Sequence, residues 1–277
     1  MQVRKPSPNN IESRLMLNNE QLRQLLEQRK SFKAQASAEE WAARVELAAC
    51  YRLIAHFRMT DWIYNHISAR VPGSHEHYLI NPFGLLYEEV SASNLVKVDV
   101  RGNLVEQVQL DVNPAAFVIH GAIHAARPEV ACVLHTHTAA GAGVAAQAHG
   151  LMPISQHAFK LLDRLAYHDF EGIALDADEQ VRLVADIGNK DVLILRNHGL
   201  LTMGRSVREA FELMFFLERA CQIQIAALSG GSAVIHPPAA VCQRTSSQFA
   251  GDDSYVKGRD WQALLRLLDR TDPSYQD

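Results

Sequence analysis

The run Val133-Leu134-His135-Thr136-His137-Thr138 is an apolar segment that ends in two histidines at i and i+2. Residues two apart on an extended strand project from one face, so both imidazoles can aim at a single point. Further along, Asp191-Val192-Leu193-Ile194-Leu195 is a second apolar run, closed by Arg196-Asn197-His198-Gly199. Two buried strands that each deliver histidine at their ends make a three-nitrogen site with an open fourth position. Such a site suits a catalytic metal better than a closed structural one. The ordinary reading stays open on spacing alone, because a strand-end histidine is more often a hydrogen-bonded residue than a ligand.

With 277 residues, 48% of them hydrophobic, the chain can bury one large core as one domain or at most two. A formal net charge of −4 gives no reason to expect nucleic acid or an anionic membrane as partner. No window reaches ~18 uninterrupted apolar residues, so no membrane-spanning helix is expected. Met1 to Asn19 lacks the apolar centre of a secretory signal. Cys50, Cys132, Cys221 and Cys242 are far apart and form no C-x-x-C pair. A reducing, cytoplasmic location is therefore expected.

The elements that must position the histidines divide the chain into three stretches. Residues 1–36 are polar and read as an N-terminal arm with room for one helix. Ser37-Ala38-Glu39-Glu40 is a capping box that opens a helix through Trp41, Leu47, Tyr51 and Ile54. Strands are expected at 67–71, 77–80 and 95–100, and helices at 115–126 and 138–148. A strand at 131–134 carries the histidine pair. A helix at 180–187 precedes strand 192–195, and Ser206-Val207-Arg208-Glu209 caps a long helix to Leu228. Residues 229–277 read as a C-terminal tail, Gly/Ser/Pro-rich to 258, with a short helix near Trp261–Leu268. Strands and helices mix without strict βαβ alternation. The pattern predicts an α/β fold in three layers, α/β/α, around a mainly antiparallel central sheet, within residues 37–228.

With the histidines in this order, the chain resembles the class II aldolase/adducin family from roughly Trp41 to Leu228. The most specific pieces are Arg127-Pro128-Glu129, Leu134-His135-Thr136-His137 and Arg196-Asn197-His198-Gly199-Leu200. Tyr64-Asn65-His66-Ile67, Asn81-Pro82-Phe83-Gly84, Val112-Asn113-Pro114-Ala115 and Leu151-Met152-Pro153-Ile154-Ser155 are similar to the adducin-like branch. The resemblance implies that His135, His137 and His198 hold Zn²⁺, with Fe²⁺ as the alternative. It also implies a homotetramer with sites at subunit boundaries.

The departures from the family pattern bear on the substrate. Ala116 stands where the sugar-phosphate aldolases carry an acid/base glutamate, with Pro114 and Ala115 in place of phosphate-binding serines. Asn65-His66 matches the Gly-Asn of one phosphate loop, and Phe83 a threonine of the second. A phosphate dianion needs several convergent donors, so a non-phosphorylated substrate is expected, with Asn65 and His66 lining its pocket.

His157 lies near the family's cross-boundary tyrosine acid and is the candidate proton carrier, since imidazole titrates near neutrality. A polar loop residue is its simpler reading. Tyr167 and His168 are weaker candidates of the same kind. His120 and His124 share one helix face; packing is their simpler role, with His120 able to orient a ligand. Glu218 reads as a solvated or interface charge. The leading expectation is a metal-dependent lyase acting on a small hydroxy-carbonyl compound by retro-aldol cleavage or decarboxylation. A non-haem Fe²⁺ oxygenase on the same three histidines and a non-catalytic adducin-like scaffold are the alternatives.

Overall fold

A computed structural model describes residues 18–106, 108–113, 116–172, 177–251 and 258–277. Its centre is one seven-stranded sheet built from β1 (His66–Arg70), β2 (His77–Ile80), β3 (Val96–Asp99), β4 (Cys132–Thr136), β5 (Leu165–His168), β6 (Val192–Leu195) and β7 (Gly199–Gly204). The strand order is β3-β2-β1-β4-β7-β6-β5. Only the β5–β6 pair is parallel, so the sheet is mainly antiparallel, as expected.

Side-chain alternation divides the core between the two faces of this sheet. Cys132 and Leu134 of β4, with Ile67, Ile194 and Leu200, pack against α2 (Ala38–His56) and α7 (Val207–Ser229). Val133 of β4, with Leu193, Leu201 and Met203, faces the opposite layer. That layer consists of a π-helical turn (Phe117–Gly121), α3 (Ala122–Ala126) and α6 (Ala177–Ile187). Helices on both faces complete the three-layer α/β/α arrangement. His135, two residues after Val133, therefore belongs to the second face.

Several elements differ from their expected form. The helix expected over 115–126 is interrupted, within the described residues, by the π-helical turn that carries His120. Pro114 and Ala115 lie outside the described residues. Strands β5 and β7 were not legible, because short apolar runs flanked by turn residues fit several conformations. Ser37 caps α2 through the Glu40 N–H, but the Glu40 carboxylate turns inward to Arg44 and Lys97 instead of closing the box.

The outer segments are anchored by buried contacts. At the end of α1 (Asn19–Arg29), Arg29 donates to the Ser93 and Leu95 carbonyls and to Glu106. Beyond α4 (Ala139–Ala145) and α5 (Gln156–Phe159), the chain after α7 forms α8 (Ala239–Gly251) and α9 (Arg259–Thr271). Trp261, Leu268 and Tyr275 join the main core. The expected single short helix is thus two thirteen-residue helices, held because apolar residues of α9 complete the face of α2.

Tyr51 of α2 ties the helix layer to the strand that leads out of the site. Its buried hydroxyl accepts the Ile67 N–H at 2.8 Å and the Asn81 N–H at 3.2 Å, and faces Asn81 Oδ1 at 2.8 Å. Tyr51→Phe leaves two backbone donors buried without their acceptor, which costs about 1–3 kcal/mol. Urea denaturation should register that loss with an unchanged m-value.

Candidate metal centre

The three histidines come together because of the pairing of β4 and β7. His135 lies opposite Leu201, one residue before the paired part of β4 ends at Thr136, while His137 lies just beyond the strand on the same face. His198 sits in the turn of the β6–β7 hairpin, closed by the His198 N–H donating to the Leu195 carbonyl. Asn197 makes that turn possible with φ 54, a left-handed conformation that asparagine tolerates better than most residues. Gly199 must be glycine for a different reason: an added Cβ would collide with the Thr136 carbonyl and come within 3.1 Å of the His137 ring.

The Nε2 atom of His137 lies 2.8 Å from that of His135 and 2.9 Å from that of His198; the third separation is 3.3 Å. Two of the three opposite ring nitrogens have partners of their own. His135 Nδ1 donates to the Leu200 carbonyl at 2.8 Å, and His137 Nδ1 to Asp61 Oδ2 at 3.1 Å. Those bonds select the tautomer whose Nε2 carries a lone pair. Burial, then the neighbouring His137, pushes His198 down to about 4 and His135 further below its ordinary value.

Three ring nitrogens this close, two of them in rings whose far nitrogen is already engaged, are placed to share one cation. Zn²⁺ takes nitrogen at about 2.0–2.1 Å, and three nitrogens within 3.3 Å of one another can all meet that length at once. The donor set therefore fits a divalent cation of the imidazole-preferring kind.

The cavity beside the cluster measures about 360 Å³ and is lined by Asp61, Tyr64, His66, Asn113, Ile119 and Phe170 along with the three histidines. His66 stands directly opposite His135 in the β1–β4 register and is 3% exposed. Neither of its ring nitrogens makes a well-formed hydrogen bond, although the nearby Tyr64 carbonyl slightly favours a proton there. Burial and His137 outweigh it and push His66 down to about 3.

Behind His66, the His120 ring lies 4.4 Å away between centroids. The π-helical turn sets His120 against Ser68 Oγ at 2.7 Å, and Ser68 reaches His124 at 2.8 Å. His120 is therefore a buried neighbour of the pocket wall and does not line the cavity.

Other expected residues lie elsewhere. Asn65 is buried with neither side-chain atom hydrogen-bonded and does not line the cavity. Ala116 is sealed in a hydrophobic cluster with Tyr78, Ile80, Val96 and Val98. His157, on α5, packs its ring against Phe216 of α7 and is not brought to the cavity within one chain. Burial, then Arg219, lowers its pKa. Buried His168 bonds Asp186 at 2.7 Å. Glu218 is 5% exposed rather than solvated, and it accepts the hydroxyl of Thr138, the residue that caps α4 just after His137.

Asp61, Ile119 and Phe170 were not found from the sequence. Asp61 comes from an irregular loop in which Arg58 and Trp62 both adopt positive φ, and no spacing rule connects that loop to β4. Phe170 follows β5, a strand that was itself missed.

The chain belongs to the class II aldolase and adducin family: residues 45–225 match the Class II Aldolase and Adducin N-terminal domain. An aldolase II superfamily protein from Pseudomonas syringae of known structure is 53% identical, with a TM-score of 0.84, over 88% of this chain and 99% of its own. The L-fuculose 1-phosphate aldolase of Glaciozyma antarctica is 25% identical, with a TM-score of 0.74, over 87% of this chain and 94% of its own. Mouse alpha-adducin is 44% identical over 241 residues; the match takes in 82% of this chain and only 33% of alpha-adducin.

Buried neutral histidines make stability pH-dependent in a definite direction. His66 and His124 are held down to about 3, chiefly by burial, while the unfolded chain takes up protons below about 6.5. The folded state refuses those protons, so stability is complete above about 6.5 and is lost as pH falls towards 3. Each such histidine steepens the slope by up to about 1.4 kcal/mol per pH unit. In metal-stripped protein, His124→Gln should flatten the dependence of unfolding free energy between pH 6.5 and 4 by about one histidine's share, measured by urea denaturation.

Proposed function

We propose that this protein is a metal-dependent carbon–carbon lyase that acts on a small, non-phosphorylated hydroxy-carbonyl compound by retro-aldol cleavage or decarboxylation. The observation that carries this reading is the convergence of three imidazole Nε2 atoms beside a cavity that leaves room for a further ligand. A divalent cation held there, Zn²⁺ in this reading with Fe²⁺ as the alternative, supplies the positive charge that polarises a hydroxy-carbonyl. The Leu200 carbonyl and Asp61 hold the rings of His135 and His137 in the tautomer that binds it. His66 offers an uncharged nitrogen to a substrate oxygen, and Ile119 and Phe170 limit access of water.

The similarity to an L-fuculose 1-phosphate aldolase supports a lyase, while the cavity lining argues against the phosphate. Among the described residues that line it, none is a lysine or arginine, and the one ionisable acid is Asp61. Away from the bound cation, a dianion would meet no cationic side chain of the described lining and would stand near one carboxylate.

The proton carrier in this reading is His157 of a partner subunit in a cytoplasmic homotetramer, because within one chain α5 packs on α7. Among the described residues, no helix is long and apolar enough to cross a membrane.

A non-catalytic scaffold is the second reading. It is favoured by Ala116, sealed away at the family's acid/base position, and by the 44% identity to alpha-adducin. Metal analysis of protein purified without added metal or chelating resin separates the two. Stoichiometric zinc is expected; iron would favour the oxygenase, and an empty site the scaffold. His135→Ala and His198→Ala should each abolish metal retention with the fold intact by circular dichroism. Asp61→Asn should weaken metal binding by about 10–100-fold, read by competition with a chromogenic chelator.

A further inference from the structure

A three-carbon hydroxy-carbonyl compound is only a few times larger than a water molecule, whose share of liquid volume is about 30 Å³. It would leave most of the 360 Å³ cavity empty. What surrounds that remaining space includes flat apolar side chains, with the Asn113 amide, which donates to the Tyr64 carbonyl, as a polar exception. Tyr64 and Phe170 are 50% and 55% exposed at the cavity, and Phe170 approaches His198 edge-on with centroids 6.4 Å apart. Ile119 forms part of the buried wall, at 2% exposure.

The three Nε2 atoms form one polar group of that lining, and the His66 ring stands beside them, 5.6 Å from His135 between centroids. Asp61, the charged group of the described lining, is already engaged by His137. Binding sites of this construction place an apolar body against apolar walls and use a few polar groups for orientation. Exposed tyrosine and phenylalanine beside such a site favour a flat ring through offset or edge-on contacts.

We propose that the substrate is a hydroxy-carbonyl compound bearing an aryl or similarly flat apolar substituent, which lies against Tyr64, Phe170 and Ile119. Its oxygens then face His66 and the three-histidine cluster. This inference rests on the metal-lyase reading and adds to it the chemistry of the substrate's second half. Tyr64 and Phe170 are specificity-determining residues here, and His66 orients the oxygenated end.

Three hydroxamates with the same chelating head and different tails test this on the zinc-loaded full chain by titration calorimetry. Phenylacetohydroxamate should bind at least about tenfold more tightly than acetohydroxamate, the gain expected from burying a ring-sized apolar group. Phosphonoacetohydroxamate should bind no better than acetohydroxamate. Phe170→Ala and Tyr64→Ala, which truncate side chains half open to solvent, should each bring the phenyl-to-methyl affinity ratio towards one.

Equal binding of the phenyl and methyl compounds, or tightest binding of the phosphonate, overturns the proposal while leaving the metal site standing. No binding of any hydroxamate by zinc-loaded protein overturns the metal-lyase reading together with it. If either alanine variant keeps the ratio but changes the mass seen by light scattering, the aromatics are subunit contacts and the proposal is wrong.

Discussion

Three imidazole lone pairs pointed at one another constitute the constraint on which the rest of this structure depends. The Nε2 atoms lie 2.8–3.3 Å apart, and the rings of His135 and His137 are already engaged on the far side. The fold holds this close arrangement by backbone means. The β4–β7 register sets His135, the left-handed Asn197 sets His198, and Gly199 lets the hairpin close against the backbone of Thr136. Side-chain tautomers follow from the Leu200 carbonyl and Asp61. The site is thus prepared for a cation before one arrives, which is what a ligand set requires if binding is not to be opposed by reorganisation.

The same face of the sheet carries an unusual amount of uncharged imidazole. His66, His120 and His124 are all buried, and all are pushed well below the ordinary histidine range mainly by desolvation. Ser68 links His120 to His124, and Arg70 donates to the His124 carbonyl, so that this polarity is partly satisfied inside the protein. The opposite face, packed on α2 and α7, carries the main hydrophobic cluster, with Glu218 and Gln224 buried among it.

Family membership and site composition bear on different questions. The family match and the neighbouring structures define the fold. The wall residues define what can enter. Ala116 is enclosed by Tyr78, Ile80 and Val96 in the core.

Much of this was legible in local pattern, where period and spacing carry the information. The H-x-H spacing placed His135 and His137 on one face of a strand. The apolar run before His198 marked β6, and the Ser206 cap marked the start of α7. Asp61, Ile119 and Phe170 were not legible, because each reaches the site from a segment whose position depends on packing between distant elements. Glu218 was misjudged for the same reason: a carboxylate on a long helix looks solvated until Thr138 is known to cover it. His157 has the right chemistry but sits against Phe216. The sequence by itself determined most of the helices, the alternation of β4 and the pairing of His135 with His137 on one face, since those follow from periods of two and 3.6 residues. The family resemblance tied His198 to them. Tertiary structure alone decided which walls close around them, because contacts across the sheet depend on register and on the paths of irregular loops, which no local repeat encodes.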